Sequence, residues 1–211
     1  MTGESASVWA VARACANVAL VKYWGKRDPR LNLPAVGSLS LTLAELAATA
    51  RVTSGTGPAF RQDGRSVEGP AGERMQWFLA EVARRAGCSA ALRADVEANF
   101  PVGAGLASSA AIYCAVAAAA ASATGLPLSL PQLSELARLG SGSAARSVYG
   151  GLVEGAGGER TDGSDSVAWP VLEETAWSLG VAVAVVSEDR KRDASRDAME
   201  HCARTSPLYA G

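Results

Sequence analysis

The chain has 211 residues, enough for one ordinary domain or for one domain and the beginning of another. Its 20 basic and 21 acidic residues nearly cancel, so composition gives no reason to expect nucleic acid or an anionic membrane as a partner. The cysteines are scattered and His201, the single histidine, is expected at the surface, so neither a zinc site nor histidine-dependent catalysis is supported. The N-terminus has neither a basic leader nor an apolar run, which favours a cytoplasmic protein with free thiols.

Hydrophobic periodicity predicts several strands in chain order. Leu39, Leu41 and Leu43 alternate with polar residues, as expected for a half-buried strand. Turns are expected at 55–58 and 63–64, where glycine follows or precedes polar residues. The other segments with strand character are 8–14, 48–53, 91–98 and 181–186, the last of them predicted to be buried.

Helical spacing is clearest over 73–86, which we predict to be an amphipathic helix that ends at Gly87. Another helix is expected from 129–131 to Gly140. The alanine-rich stretch 110–121 is too short to span a membrane and is interpreted as a core helix. With a polar loop over 155–165, this order favours an α+β fold in which two helical hairpins pack around a largely antiparallel sheet. The apolar positions with helical spacing are Met75, Phe78, Leu79, Val82 and Ala86.

The segment 100–110 joins a glycine loop and two hydroxyls to the start of the alanine-rich helix. Gly103 and Gly105 allow the backbone to turn close to a ligand, and Ser108 and Ser109 can cap the helix or donate to phosphate oxygens. The unpaired N–H groups and the positive end of the helix dipole favour an anion there. The pattern is neither a Walker A loop nor the dinucleotide-binding fingerprint, and alone it is better explained as a turn before a core helix.

Three further polar segments bear on the same question. Residues 17–28 place two lysines, a tyrosine and an arginine just after the first strand. Residues 138–147 form a second glycine-serine loop predicted to open a helix, and its Arg146 offers a planar fork suited to carboxylate or phosphate. Residues 162–166 form a third polar turn. Each segment alone could be a turn, a cap or a solvated face, but together they predict a pocket rich in anion donors.

Taken in order, these segments resemble the mevalonate diphosphate decarboxylases, a family of the GHMP kinase superfamily, over about 8–208. The resemblance implies an α+β fold: a GHMP kinase N-terminal domain (ribosomal protein S5 domain 2-like) over 1–178. Residues 179–211 would begin a ferredoxin-like C-terminal domain. The matching segments are 17–26 with Asp28, 31–34 and 38–40 (substrate), 101–110 (ATP phosphate loop), 140–146 (Gly-Ser-Gly-Ser) and 185–199 (a later substrate loop).

The resemblance implies that ATP phosphorylates the tertiary 3-hydroxyl of mevalonate 5-diphosphate, and that phosphate and carbon dioxide then leave to give isopentenyl diphosphate. This is a step of the mevalonate pathway of isoprenoid biosynthesis. Phosphorylation makes a good leaving group, and decarboxylation quenches the positive character at C3. The expected cofactors are ATP and Mg²⁺, and the expected protein is a cytoplasmic homodimer that binds neither nucleic acid nor membrane.

The resemblance also assigns residues. Lys22 and Arg146 are the catalytic candidates, with Arg146 on the substrate carboxylate, and Ser109 is the candidate beside Mg²⁺. Arg74 matches a substrate-contacting arginine that could reach the diphosphate from the start of a helix. An arginine that simply lies on the surface of a helix would not indicate substrate binding. Substrate contacts are implied for Tyr23, Trp24, Gly25, Lys26, Arg74, Ser141, Gly142, Ser143, Ala144, Ala145, Arg146, Ser195 and Arg196, and ATP contacts for Gly103, Ala104, Gly105, Leu106, Ala107, Ser108 and Ser109.

Some positions depart from the family pattern. Arg196 stands where a threonine is usual and Ala194 where a serine is common, so a charge would replace a hydroxyl contact there. Ala145 replaces a frequent cysteine. The family's catalytic aspartate, in a glycine-containing segment of the C-terminal half, is not present in this chain, and Asp28, Asp162 and Asp165 are no obvious substitutes.

We therefore expect a fragment of a decarboxylase that lacks most of the C-terminal domain. Two alternatives stay open at this point. One is a paralogue that phosphorylates mevalonate or phosphomevalonate without efficient decarboxylation. The other is a noncatalytic nucleotide-binding remnant, which would bind nucleotide and form no ADP.

Overall fold

The structure is a computed structural model that describes residues 8–103, 105–177, 179–184 and 195–207, without the side chains of 195–197. Seven strands form one sheet in the order β6-β5-β7-β4-β8-β9, with β1 paired to β4 as well, and β2 and β3 form a separate ribbon. Among the described strands every pairing is antiparallel except that of β5 with β7. The strands are β1 Trp9–Val21, β2 Lys26–Asp28, β3 Leu33–Pro34, β4 Ser38–Ser54, β5 Phe60–Gln62, β6 Arg65–Ser66, β7 Leu92–Ala98, β8 Leu152–Gly155 and β9 Ala168–Leu172.

Strand β4 organises the sheet. One of its edges pairs with β1 along most of its length, while the other pairs first with β8 over 38–41 and then with β7 over 48–54. The strands predicted separately around Leu39 and at 48–53 are therefore one long strand. The predictions at 8–14 and 91–98 are confirmed as parts of β1 and β7, and the turn at 63–64 joins β5 to β6.

The helices cover one face of this sheet and supply much of the core. Helix α2 is buried all round, because its small alanine side chains allow it to pack closely against β1 and β4. The helix predicted from 129–131 to Gly140 is confirmed as α3, and Ser129 and Gln132 form a capping box at its start. In the described part of the chain, no helix is long and apolar enough to cross a bilayer. The helices are α1 Gly69–Arg85, α2 Ser108–Thr124, α3 Leu130–Gly140, α4 Ser195–Thr205 and a 3₁₀ helix Gly142–Val148.

Close packing fixes the end of α3 against α2. A Cβ at Gly140 would lie 2.1 Å from the ring of Tyr113, so only glycine lets the two helices approach this closely. On the other side of that ring, Phe78 of α1 makes an edge-to-face contact with a centroid distance of 5.4 Å. This packing holds the last turn of α3, and with it the start of the Gly-Ser-Gly-Ser segment, at a defined place on α2.

The α+β class and the largely antiparallel sheet are confirmed, but the buried strand predicted at 181–186 is not: residues 181–184 are exposed and lie outside any strand, while 185–186 fall outside the described residues. The helix predicted to open at the glycine-serine loop after α3 is a 3₁₀ helix that begins at Gly142, directly after the extended Ser141. At the start of β4, Ser38 and Ser40 are buried, whereas Leu39 and Leu41 are only half-buried. The domain division at 178/179 stays a prediction.

Candidate functional site: a cleft with two buried arginines

Arg146 is buried at the centre of the site, with only 2% of its surface exposed. Its Nε donates to Ser40 Oγ at 2.9 Å, its Nη1 donates to Ser38 Oγ at 2.5 Å, and its Nη2 donates to Asn17 Oδ1 at 3.4 Å. Asn17 is itself held, because its Nδ2 donates to Ser147 Oγ at 2.8 Å and to the carbonyl of Ser143. Polar side chains of β1 and β4 thus fix the guanidinium.

All of these partners are neutral. Burial lowers the pKa of Arg146 to about 10, which still leaves the guanidinium charged at neutral pH. A buried charge without an opposite charge is costly, and an anion that enters the site would remove that cost. Arg146, which the family resemblance places on the substrate carboxylate, is therefore charged and held in place. In the described part of the chain it has no acidic partner.

The cleft beside Arg146, here named the arginine cleft, is lined by residues from four matched segments, 17–26, 31–34, 38–40 and 140–146. Tyr23 is buried in its wall, and its hydroxyl donates to the carbonyl of Asn32 at 3.1 Å. A Cβ at Gly142 would come within 2.7 Å of the Tyr23 ring, which explains the glycine in the Gly-Ser-Gly-Ser segment. Residues that line the cleft include Tyr23, Pro34, Ser38, Arg138, Arg146 and Ser166.

Asn32 connects the N-terminal segment to the end of α3. Its Oδ1 accepts a hydrogen bond from Lys26 Nζ at 2.8 Å, and its Nδ2 donates to the carbonyls of Arg138 and Leu139 at 3.0 and 2.8 Å. The lysine predicted from the resemblance is therefore tied to the same helix end that precedes Ser141. Sequence reasoning gave Asn32 no role, although it lies inside the matched segment 31–34.

The glycine loop meets the Gly-Ser-Gly-Ser segment at the first turn of α2. Gly103, Gly105 and Ala107 have φ values of 82°, 90° and 52°, so the loop uses the left-handed region three times. Ser141 Oγ donates to Ser109 Oγ at 3.3 Å, and Ser143 Oγ lies 3.2 Å from Ser141 Oγ. The two predicted ligand segments thus share a cluster of three hydroxyls.

Of the two roles considered for Ser108 and Ser109, capping of α2 is not observed. The N-cap residue is Ala107, and no side chain caps the helix. Ser108 instead accepts a hydrogen bond from the Gly103 N–H at 3.3 Å, which closes the loop on itself. Because no side chain caps them, N–H groups of the first turn remain available to an anion, as a phosphate site requires. Leu106 is partly buried against the core, and Ala104 lies outside the described residues.

Arg74 lies in α1 and contacts the C-terminus of α3. Its Nε donates to the carbonyl of Gly140 at 2.8 Å, and its Nη2 donates to that of Leu139 at 3.1 Å. These carbonyls have no partner within their own helix, and a cation there also complements the helix dipole. Arg74 therefore supports the residue that precedes Ser141, and its predicted contact with the diphosphate stays a prediction.

The described aspartates nearest these segments act as turn residues. Asp28 accepts the backbone N–H groups of Leu31 and Arg30, which lower its pKa. Backbone N–H groups likewise lower the pKa of Asp162, through Ser164, and of Asp165, through Glu159 and Arg160. A depressed pKa makes a carboxylate a weak base, in keeping with the view that none of them replaces the family aspartate. In the described part of the chain, no cluster of His, Cys, Asp and Glu could hold a metal ion.

Other predicted residues remain untested. Lys22 is exposed after the end of β1, and Trp24 is half-buried next to Tyr23. Ser195 and Arg196 begin α4, but their side chains lie outside the described part, so their predicted substrate contacts stay predictions. The residues that sequence reasoning passed over are Asn17, Asn32, Ser38, Ser40 and Arg138, all buried polar groups at or beside the cleft.

This is the α+β fold of the GHMP kinase superfamily, with a glycine loop at the start of α2 and a cationic cleft. The chain matches the family described as "Diphosphomevalonate decarboxylase-like N-terminal domain" over residues 14–168, and it belongs to that family. It is 40% identical to the diphosphomevalonate decarboxylase of Bos taurus, over 99% of this chain and 56% of that protein. The chain spans just over half the length of the curated relatives that it matches.

Solved structures agree with this assignment. The chain is 39% identical to the mevalonate diphosphate decarboxylase of Staphylococcus aureus, with a TM-score of 0.73 over 79% of this chain and 50% of that one. A protein called MDDEF, in complex with MVAPP, AMPPCP and magnesium, gives a TM-score of 0.83 at 33% identity over 98% of this chain and 64% of that one. The family resemblance predicted from the sequence is therefore confirmed.

Proposed function

We propose that this chain forms the ATP- and substrate-binding part of a decarboxylase. The reaction converts mevalonate 5-diphosphate and ATP to isopentenyl diphosphate, ADP, phosphate and carbon dioxide. The observation that carries the proposal is the contact between Ser109 and Ser141, because it joins the phosphate loop to the segment that bears Arg146. A phosphate donor and an anionic acceptor bound on either side of this contact would be neighbours, as phosphoryl transfer requires.

The residues of the cleft suit a substrate with a carboxylate and a diphosphate. Arg146 holds the carboxylate, since its planar guanidinium is fixed by Ser38 and Ser40 and has no described acidic partner. Tyr23 forms part of the cleft wall and is held by Asn32, and Lys26, held by the same residue, contributes further N–H donors to the phosphates. Bound in this way, the substrate carboxylate stays paired with Arg146 until it leaves as carbon dioxide.

The phosphate loop fits the cofactors implied by the family. N–H groups at the uncapped start of α2, with the hydroxyls of Ser108 and Ser109, can hold the phosphates of ATP. Mg²⁺ is usually held by phosphates together with one or two protein oxygens, and Ser109 can supply one of these. ATP supplies the phosphoryl group that makes the 3-hydroxyl a leaving group. The cytoplasmic location, inferred from the N-terminus and the free cysteines, and a homodimer, a state often found in the family, stay predictions.

The proposal is tested by titrating the chain with ATP-Mg²⁺ and with mevalonate 5-diphosphate in a calorimeter, and by measuring ADP and carbon dioxide in the mixture. We expect both ligands to bind, and any ADP that forms to be matched by an equal amount of carbon dioxide. ADP without carbon dioxide would identify a kinase instead. Binding of mevalonate or phosphomevalonate in preference to the diphosphate would contradict the proposed substrate.

A further inference from the structure

Arg138 is a second buried arginine of the arginine cleft, and the proposed mechanism gives it no role. It lies in the last turn of α3 and is 2% exposed. Its Nε and Nη1 atoms are buried and have no hydrogen-bond partner. Native structures rarely leave buried donors unsatisfied, and a buried charge without partners is more costly still.

No described acid neutralises this charge. Glu135 stands one turn earlier on the same helix, but its carboxylate accepts a hydrogen bond from Arg85 Nη1 at 3.2 Å. Within the described ranges, the salt bridges involve Arg61, Arg84 and Arg85 and neither arginine of the cleft. Burial lowers the pKa of Arg138, and the negative charge of Glu135 offsets this shift only in part.

The surroundings of Arg138 hold the side chain in one place. A Cβ at Gly163 would lie 2.6 Å from Nη1 and 2.7 Å from Nη2, so the guanidinium packs against the backbone of the turn 162–166. At its other end, the Arg138 carbonyl accepts a hydrogen bond from Asn32 at 3.0 Å. Arg138 lines the same cleft as Tyr23 and Arg146. An anion that enters the cleft therefore meets two fixed guanidinium groups.

We propose that Arg138 is an anion-binding residue of the arginine cleft, whose guanidinium donates to an oxyanion of the bound ligand, either a carboxylate or a phosphate. The inference deepens the proposed function, since it adds a contact to the same anionic substrate. The second guanidinium explains how one cleft can bind a ligand with several negative groups. It also explains why the position of Gly163 is kept free of a side chain.

The test compares Arg138→Met, which keeps the length of the side chain and removes its charge, with the unchanged chain. Both are titrated with inorganic pyrophosphate and with mevalonate 5-diphosphate, and their thermal unfolding is followed without ligand. We expect the affinity of at least one ligand to fall about tenfold or more, as for a lost hydrogen bond to a charged group. We expect the melting temperature to stay the same or rise, because an unpaired buried charge is removed.

Arg84→Met is the matched control, because it removes an arginine that pairs with Glu81 outside the cleft. It should leave both affinities unchanged. A purely structural Arg138 gives the opposite pattern, with a lower melting temperature and unchanged affinities, and that result overturns the inference. If Arg138→Met does not fold, Arg138→Lys takes its place, and unchanged affinities in this folded variant likewise overturn the inference.

Comparing the binding of the two ligands also distinguishes a failure of the inference from a failure of the proposed function. Weaker binding of both ligands assigns Arg138 to a phosphate, and weaker binding of mevalonate 5-diphosphate alone assigns it to the carboxylate. If the unchanged chain binds pyrophosphate through Arg138 but does not bind mevalonate 5-diphosphate, the anion site stands and the proposed substrate is wrong. If the unchanged chain binds neither ligand, the inference itself fails.

Discussion

The arginines on the outer surface of α1 and the arginines in the cleft differ in their hydrogen-bond partners. Arg84 and Arg85 donate to the carboxylate of Glu81 at 2.7 and 2.9 Å, and Arg85 also reaches Glu135 on α3. In the cleft, Arg146 is bound only by neutral oxygens in the described part of the chain, and Arg138 leaves two nitrogens without a partner. Carboxylates thus pair with both of these surface arginines, whereas no acid of the described residues pairs with either arginine of the cleft.

This difference indicates where the protein keeps charge available for a ligand. At the surface, water screens the charges, and an ion pair contributes little whether it forms or not. In the cleft the charge is poorly solvated, so its field acts on whatever anion enters. A carboxylate in the cleft would stabilise the arginines and compete with the substrate, which gives a physical reason for serine and asparagine at these positions. The predictions below test this contrast.

The largest effect is expected for Arg146→Met. This variant should lose binding of mevalonate 5-diphosphate by about 2–5 kcal/mol, the cost of removing a buried charge-assisted contact, while ATP-Mg²⁺ binds nearly as before. Calorimetric titration with each ligand measures both affinities. Arg84→Met, which removes an arginine with a 70% exposed side chain, should leave both affinities unchanged. Equal substrate affinity in the two variants would remove Arg146 from the site.

A smaller but more specific effect is expected for Ser38→Asp. The new carboxylate would stand next to Arg146 Nη1, which now donates to the Ser38 hydroxyl, and would neutralise the guanidinium. We expect substrate affinity to fall by roughly 1–3 kcal/mol relative to Ser38→Asn, which has the same shape and no charge. Similar substrate affinities in the Asp and Asn variants would show that substrate binding does not require an uncharged side chain at position 38.

Features that depend on neighbouring residues could be predicted from the sequence. The glycine loop and the start of α2 are determined by neighbouring residues, so the sequence predicts Gly103 and Gly105 as turn positions, and their positive φ values confirm it. The amphipathic spacing of α1 and the serine and proline at the start of α3 are local in the same way; both helices occur, although α1 begins at Gly69, four residues before the predicted start. Arg146 could be singled out because its segment matches a family motif.

The partners of Arg146 could not be predicted in this way. Ser38, Ser40 and Asn17 are more than 100 residues away in the chain, and only the pairing of β1, β4 and β8 brings them to the 3₁₀ helix. Alternation of leucine and serine on β4 was interpreted with the leucines inward, the usual arrangement for a strand against a core. Here the serines are inward because they hold a buried cation, and no local pattern distinguishes the two cases.

The smallest effect is expected at the surface cluster, for Glu81→Gln. Hydrogen bonding from Arg84 lowers the pKa of Glu81 from 4.5 to about 2, with a further contribution from Arg85, and burial opposes the shift. A carboxyl group with a lowered pKa adds stability above pH 4.5 and loses it as the pH falls through about 2. Because the Arg84 side chain is 70% exposed, water screens the pair, and the gain should stay below about 1 kcal/mol.

Urea unfolding of both proteins at neutral pH and at about pH 3 checks the prediction for Glu81. Glutamine keeps an oxygen that can accept from Arg84 and removes only the charge, so the variant should be slightly less stable at neutral pH. The difference should shrink at about pH 3, because below pH 4.5 the unfolded chain binds a proton at Glu81 that the folded chain, with a pKa of about 2, does not bind. A difference that stays constant with pH would mean that shape, rather than charge, stabilises the surface cluster. The contrast with the cleft would then rest on Arg138 and Arg146 alone.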